Sequence, residues 1–358
     1  MKSRNDHARW TAKPEMLPRE RVLAAVEFRT PDKIPIQLNT SQGGLYEHGQ
    51  KLLDLMRQCP NDFGDLRELT LPEPPPEDFA PDGSYQRIRT DEWGITWEHR
   101  IFGVWGHPLK TPIANLATLN AYRPPAPPPV SGPEFEIARA NADRHRAKHF
   151  LIGNGFMIWE QMHFLRPYED CLVEIMDDTR EINRIADLIT DYAEGCVRHS
   201  LAIGADAVAF GDDFGTQLAP IFPPAVWRRF FKPRYERLCA PVRKAGKKIF
   251  FHSCGQIAPL LDDFAELGVN AIWPQLQLFD LRELARHCRE LGLSVQLHPE
   301  RGDLMQSASP QKVRDYIPRL LDDFQTASGG SWLYLEVDPG FKWGNIQALF
   351  ECAMKLRE

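Results

Sequence analysis

From Lys148 onward, short apolar runs alternate with stretches of helical periodicity, and this alternation limits the fold more than any other feature of the chain. His149 to Gly153, Ala207 to Phe210, Lys248 to Phe251, Asn270 to Trp273, Ser294 to Leu297 and Trp332 to Leu335 read as strands. Between them, Cys171 to Ile203, Pro224 to Ala245 and a stretch through Leu260, Leu261 and Phe264 read as helices. Strands alternating with amphipathic helices predict a parallel sheet covered by helices. The repetition favours closure into a (β/α)8 TIM barrel over an open doubly wound sheet. No Gly-x-Gly-x-x-Gly follows any strand, so the main signal of a dinucleotide fold is missing. Such barrels reach about 250 residues and more as one domain, so the 358 residues are read as a single unit, 1–358.

Thirty prolines interrupt this pattern unevenly. Leu71 to Pro76 and Arg123 to Pro129 can be neither helix nor central strand, because proline lacks the N–H donor and fixes φ. They bracket a segment in which Trp93 to Trp97 and Ile101 to Trp105 read as the two strands of a hairpin. Residues 71–129 are therefore expected as an insertion packed on the barrel, too small to bury a core of its own.

Charge and cysteine usage exclude several classes of function. A net charge of −6 does not suit a general nucleic-acid binder, which needs basic surface against phosphates. No apolar run approaches the roughly 18 residues that span a bilayer. The opening Met1 to His7 is polar and lacks the apolar core of a secretory signal. Seven scattered cysteines read as reduced thiols in a cytoplasm. Of these, Cys59, Cys171, Cys196, Cys239, Cys288 and Cys352 sit in helical or loop contexts and read as small buried apolar residues.

Active sites of such barrels lie at the C-terminal ends of the strands. The residues found there are polar in nearly every case: Asn154 and then Glu160, Asp212-Asp213, His252-Ser253-Cys254, Gln275 after Trp273-Pro274, His298 and Glu300, Glu336 and Asp338. Packing alone gives no reason for this collection. Asp212, Asp213 and His298 are acid–base candidates, though an aspartate there can also cap a helix and His298 can bond backbone. Asn154, Gln217, Trp273 and Gln275 are placed to hold a cofactor. His252 and Cys254, at i and i+2 on an extended strand end, can turn toward one point and offer an imidazole and a thiolate, which suits zinc.

The run Gly211-Asp212-Asp213-Phe214-Gly215-Thr216-Gln217, with Pro223-Pro224, Phe231-Lys232-Pro233-Arg234-Tyr235, Gly246-Lys247-Lys248 and His252-Ser253-Cys254-Gly255, resembles the centre of uroporphyrinogen decarboxylase-like methyltransferases. Arg19 to Ala25 with Pro31 to Pro35 resembles that superfamily's opening helix and first strand, and Ser309 to Arg314 and Asn345 to Leu349 its late helices. The resemblance implies the barrel fold with an N-terminal helical segment, and one of two chemistries. The decarboxylases bind a tetrapyrrole through an arginine-rich early segment. Here Gln37 to Tyr46 holds no arginine, and an octacarboxylate needs cationic forks.

The other branch moves methyl groups between a corrinoid (cobalamin-type) cofactor and a thiol, using zinc held by His-x-Cys and a distant cysteine. His252 and Cys254 match the first two ligands. Where the family carries the third after Pro-Gly, this chain reads Asp338-Pro339-Gly340-Phe341. A carboxylate is the expected replacement, with Glu336, Asp338, Asp212 and Glu160 as candidates. The resemblance thus implies a zinc-dependent methyltransferase acting on a small thiol or methylated substrate, with the corrinoid free or on a separate protein. Barrels of this superfamily often pair, which leaves a homodimer open. A metal-independent decarboxylase or lyase using Asp212 or Asp213, and a non-catalytic corrinoid or tetrapyrrole binder, are the alternatives.

Overall fold

The computed structural model describes residues 15–357, so the polar opening Met1 to His7 lies outside the described residues. The strands, in chain order, are β1 (Ile36–Leu38), β2 (Arg87–Thr90), β3 (Thr96–His99), β4 (His107–Lys110), β5 (Ile152–Phe156), β6 (Ala207–Gly211), β7 (Lys248–Ser253), β8 (Ala271–Pro274), β9 (Ser294–Leu297) and β10 (Ser331–Leu335). Seven of them form one parallel sheet in the order β1-β10-β9-β8-β7-β6-β5, curled as in a TIM barrel with helices outside it. Their apolar runs are continuous because both faces are covered, and every residue of β9 and β10 is buried.

The eighth position of the barrel carries no regular strand. The segment around Asn61 and Asp62 runs there instead, and it joins the two edges of the sheet. The Asp62 N–H donates to the Ile36 carbonyl at 2.9 Å, and the Asp62 carbonyl accepts from Phe150 N–H at 3.3 Å. Side chains supply the rest of the ladder: Asp62 Oδ2 accepts from Ile36 N–H at 2.8 Å and Asn61 Oδ1 from Leu38 N–H at 3.2 Å. Pro60 has no N–H to give, so Asn61 and Asp62 do with their side chains what a strand does with its backbone.

The same Asp62 anchors a buried ionic network at the N-terminal end of the barrel. Arg21 reaches it at 2.6 Å and forks onto Asp32 at 2.6 and 2.8 Å, and Arg357 pairs with Asp62 from the other side. Arg21 belongs to the helix Pro18–Val26, whose Val22 and Val26 close the barrel bottom against Phe150, Phe250 and Trp332. Phe150 and Phe250 stack at 5.7 Å and Phe250 meets Trp332 at 5.3 Å, so the base of the barrel is an aromatic plug.

The insertion differs from the expected hairpin. β2, β3 and β4 form a three-stranded antiparallel sheet. Trp93 and Gly94 lie in the turn between β2 and β3, where the Asp91 carboxylate accepts from Trp93 N–H and Ile95 N–H at 2.9 Å each and Gly94 takes φ +78°. Asp and Gly are the residues that such a turn requires, and their turn chemistry overrides the strand propensity of the aromatics. Ile101 to Trp105 is a loop leading to β4 rather than a strand.

The two long helices are also each divided in two. One breaks at Asp178, in the left-handed region at φ +55°, after which Thr179 caps Arg180–Ala202. The other divides at Phe231, two residues before Pro233. Among the described residues no helix is long and apolar enough to cross a membrane.

Burial alone would raise the Asp32 carboxyl, but the Arg21 fork and the Met16 N–H hold it below its usual range. A lowered carboxyl stabilises the fold above the unfolded pKa of about 4 and loses that contribution as pH falls through the folded value. Arg21→Met leaves two buried carboxylates without their shared partner and is expected to cost about 3–5 kcal/mol in urea unfolding near neutral pH. Its stability should also change less than the wild type's on going from neutral to acidic pH.

Candidate metal centre and its surroundings

β6 and β7 pair with Gly211 opposite His252 and Phe210 opposite Phe251. Along β7, side chains alternate: Phe250 points into the barrel plug, Phe251 packs outward on Tyr235 and Phe264, and His252 points inward again. The loops that follow the two strands lie against each other. Gly215 N–H donates to the Cys254 carbonyl at 3.2 Å and Gln256 N–H to the Thr216 carbonyl at 2.7 Å. A Cβ on Gly255 would stand 2.0 Å from the Gly215 backbone, so a residue larger than glycine at 255 would force the loops apart. Ser253 is fully buried, and its Oγ accepts from Phe214 N–H at 3.0 Å to clamp the same junction.

This close approach gathers three donors. His252 Nε2 lies 3.5 Å from Cys254 Sγ and 3.4 Å from Asp213 Oδ1, and the donor atoms of all three residues fall within 4.8 Å of one another. They are the one group of at least three such side chains close enough to share a metal ion among the described residues. Asp213 Oδ1 is held by Cys254 N–H at 2.7 Å. His252 Nδ1 donates to the Trp273 carbonyl at 2.8 Å, which turns Nε2 toward the other two donors. Burial favours the neutral ring, yet the Asp213 carboxylate and the Cys254 sulfur beside Nε2 push its pKa up to about 10. The opposite effect, countering burial, holds Asp213 below the usual carboxylate range.

The donor set fits zinc. Ligands 2.0–2.3 Å from a tetrahedral ion stand roughly 3.3–3.7 Å apart, which is the spacing of Nε2 from Sγ and from Oδ1 here. Three protein donors leave a fourth position open, as in catalytic rather than structural sites. A hollow of about 410 Å³ adjoins the group, walled by Trp105, Met157, Phe164 and Glu160.

The other candidates from the sequence are dispersed around this point. Asp212 is buried, and its oxygens accept from the N–H groups of Ile158, Trp159 and Glu160 at 2.8–2.9 Å and from the Tyr235 hydroxyl. It caps the helix Trp159–Leu165 across the barrel instead of one that follows it in the chain. Burial pushes its carboxyl up to about 7 against those four donors. With both oxygens taken up, Asp212 is a structural anchor, and it is Asp213 that turns an oxygen toward His252.

Glu160 lines the hollow but pairs with His163 at 3.2 Å. Glu336 and Asp338 form a second cluster: Asn39 donates to Glu336 at 2.5 Å, and Arg301 reaches Glu336 at 3.5 Å and Asp338 at 3.3 Å. His298 is buried 4.0 Å from Glu336, kept neutral by burial and by Arg301 and His252. Trp273 stands between His252 and His298, and its carbonyl orients the former.

Gln275 accepts from Gly255 N–H at 3.0 Å and from the Gln217 amide at 3.4 Å, bracing the metal-donor loop. Asn154 turns back to accept from Phe156 N–H. Phe341 is buried, and Cys352 is half-buried in the helix Trp343–Lys355, apart from the donor group. Asp212→Asn puts an amide N–H₂ where one of the two accepting oxygens stood and is expected to lose about 1–3 kcal/mol of stability in urea unfolding, more than Tyr235→Phe, which removes one donor and leaves the acceptor satisfied by the others.

Comparison with proteins of known sequence and structure places these features in a lineage. No curated protein matches the chain. Among solved structures, a methyltransferase from Methanosarcina mazei aligns over 96% of this chain and 100% of its own length, at 12% identity and a TM-score of 0.62, which shows a shared fold. A dihydropteroate synthase from Xanthomonas albilineans covers 55% of this chain and 64% of its own, at 17% identity and a TM-score of 0.34. Residues 106–355, which hold six of the seven barrel strands and the whole donor group, match the family described as Uroporphyrinogen decarboxylase (URO-D), and the chain belongs to that family.

Proposed function

We propose that this protein is a zinc-dependent methyltransferase that moves a methyl group between a corrinoid and a thiol. The observation that carries the reading is the convergence of His252, Cys254 and Asp213 beside a hollow, with His252 Nε2 3.5 Å from the sulfur and 3.4 Å from the carboxylate. The shared fold with the Methanosarcina mazei methyltransferase supports it, as does the lack of arginine from Gln37 to Tyr46. A zinc ion held by these donors supplies the Lewis acidity that keeps a substrate thiol ionised at neutral pH.

The chain's own residues prepare that position. The Trp273 carbonyl fixes the His252 tautomer, and Cys254 N–H fixes the Asp213 oxygen. Gln275 and the Gly215–Gly255 contact hold the loop rigid. Trp105, Met157 and Phe164 give the hollow an apolar wall that lowers the local dielectric around a reacting sulfur. Zinc held by His252, Cys254 and Asp213 would let the thiol proton pass to water, and the adjoining hollow would leave the sulfur open to a methylated corrinoid, whose methyl group would pass to sulfur with the bonding electron pair left on cobalt. A carboxylate in place of a second protein thiolate leaves less negative charge on the ion. The bound sulfur is then held more tightly and is the weaker nucleophile.

Elemental analysis of anaerobically purified protein tests the site. Near-stoichiometric zinc is expected in the wild type and in Glu336→Gln and Glu160→Gln, with loss in His252→Ala, Cys254→Ala and Asp213→Ala. A folded wild type free of metal even after incubation with zinc would overturn the proposal and favour a metal-independent reaction. The same variants separate the chemistries: methylation of a thiol by methylcobalamin should vanish with the metal and return when zinc is restored to the wild type.

A further inference from the structure

A second hollow, of about 390 Å³, lies between the β2–β4 sheet and the barrel mouth. Its size is at the small end for ligand sites, suited to a molecule of one or two rings. The register of the sheet decides what faces it. Arg87 stands opposite His99 and Arg89 opposite Trp97, so two guanidinium groups, an imidazole and an indole share one face. Trp105, two-thirds exposed, meets Trp97 edge-on at 5.8 Å, while Trp93 stacks on Phe156 at 5.5 Å. The walls are therefore flat aromatic rings.

The side chains on this face are sparsely paired: His99 Nδ1 lies 3.5 Å from the Val104 carbonyl. Arg89 has no hydrogen bond or ion pair among the described residues, and the partner of Arg87 is Asp78 at 3.7 Å. His99 Nε2 is buried with no hydrogen-bond partner. Asp91, the carboxylate that lines the hollow, accepts from Trp97 Nε1 at 2.7 Å and from two backbone N–H groups and is ion-paired with neither arginine. Trp105 and Met157 line both this hollow and the one that holds Asp213 and His252, so the two are neighbouring compartments of one cleft.

We infer that this compartment binds a planar aromatic anion, its acidic group on Arg89 and its ring between the tryptophans. The far end of the molecule then points past Trp105 toward His252. That such a molecule is the substrate of the metal centre rests on the function proposed above, but its binding does not.

The test uses 2-naphthoate, with the neutral 2-naphthalenemethanol as control, followed by calorimetry and by quenching of tryptophan fluorescence. Wild-type protein should bind the carboxylate saturably and the alcohol more weakly. Arg89→Met should weaken naphthoate about tenfold while leaving the alcohol unchanged. Cys254→Ala, stripped of metal, should bind naphthoate as the wild type does. Equal affinity for acid and alcohol, or an Arg89→Met variant that binds naphthoate like wild type, would overturn the inference. A metal-free wild type that still binds naphthoate through Arg89 would instead sink the metal reading alone.

Discussion

The pairing of β6 with β7 in the register Gly211–His252 is the constraint on which the site depends. Side chains alternate along a strand, so a slip of one residue would turn His252 outward into the helices and Ser253 inward. The register is secured on both sides. Phe251 and Phe264 pack outside, Phe250 joins the plug inside, and the loops beyond the strands meet through two glycines. Asp213 reaches His252 only because these two loops touch. The metal-donor geometry is thus a consequence of sheet register and core packing, with little contributed by the donors themselves.

The two ends of the barrel use charge in opposite ways. At the N-terminal end, Arg21, Asp32, Asp62, Arg19 and Asp206 are paired, and their partners satisfy them fully. Asp62, held by Arg21, closes the barrel at its irregular eighth position, while Arg19 and Asp206 tie the opening helix to the start of β6. At the C-terminal end, charges stand together without full compensation. Burial raises Glu336 and Asp338, His298 is kept neutral, and three metal-type donors converge on one point. Perturbed groups that share a cleft make the C-terminal end the candidate functional one, as the strand ends of such barrels lead one to expect.

Asp212 and Asp213 show how two adjacent, chemically identical residues acquire different roles. Asp212 faces three amides at the start of the helix Trp159–Leu165 and the hydroxyl of Tyr235, and becomes an anchor between β6 and its surroundings. Asp213, one residue on, faces the imidazole. That distinction required knowing which backbone amides lie above β6, and these come from residues more than fifty positions earlier.

Local pattern was enough to read the strands after Lys148, the strand-end location of the polar residues, and His252 with Cys254, because alternation and an i, i+2 spacing act within a few residues. It also yielded the resemblance to the URO-D family, from short motifs clustered between Gly211 and Gly255 and from matching segments near both ends. What needed the folded chain were contacts between distant segments. The side chains of Asn61 and Asp62 stand in for an eighth strand, and turn chemistry at Asp91 and Gly94 shifts the insertion's strands so that Arg89 lies opposite Trp97. Asp213, rather than Glu336 or Glu160, stands beside the imidazole. Sequence by itself determined the barrel and singled out His252 and Cys254, since strand alternation and an i, i+2 spacing act locally. Only the tertiary structure decided that Asp213 stands beside them and that an aromatic compartment adjoins them, since both depend on which loops and strands pack against each other.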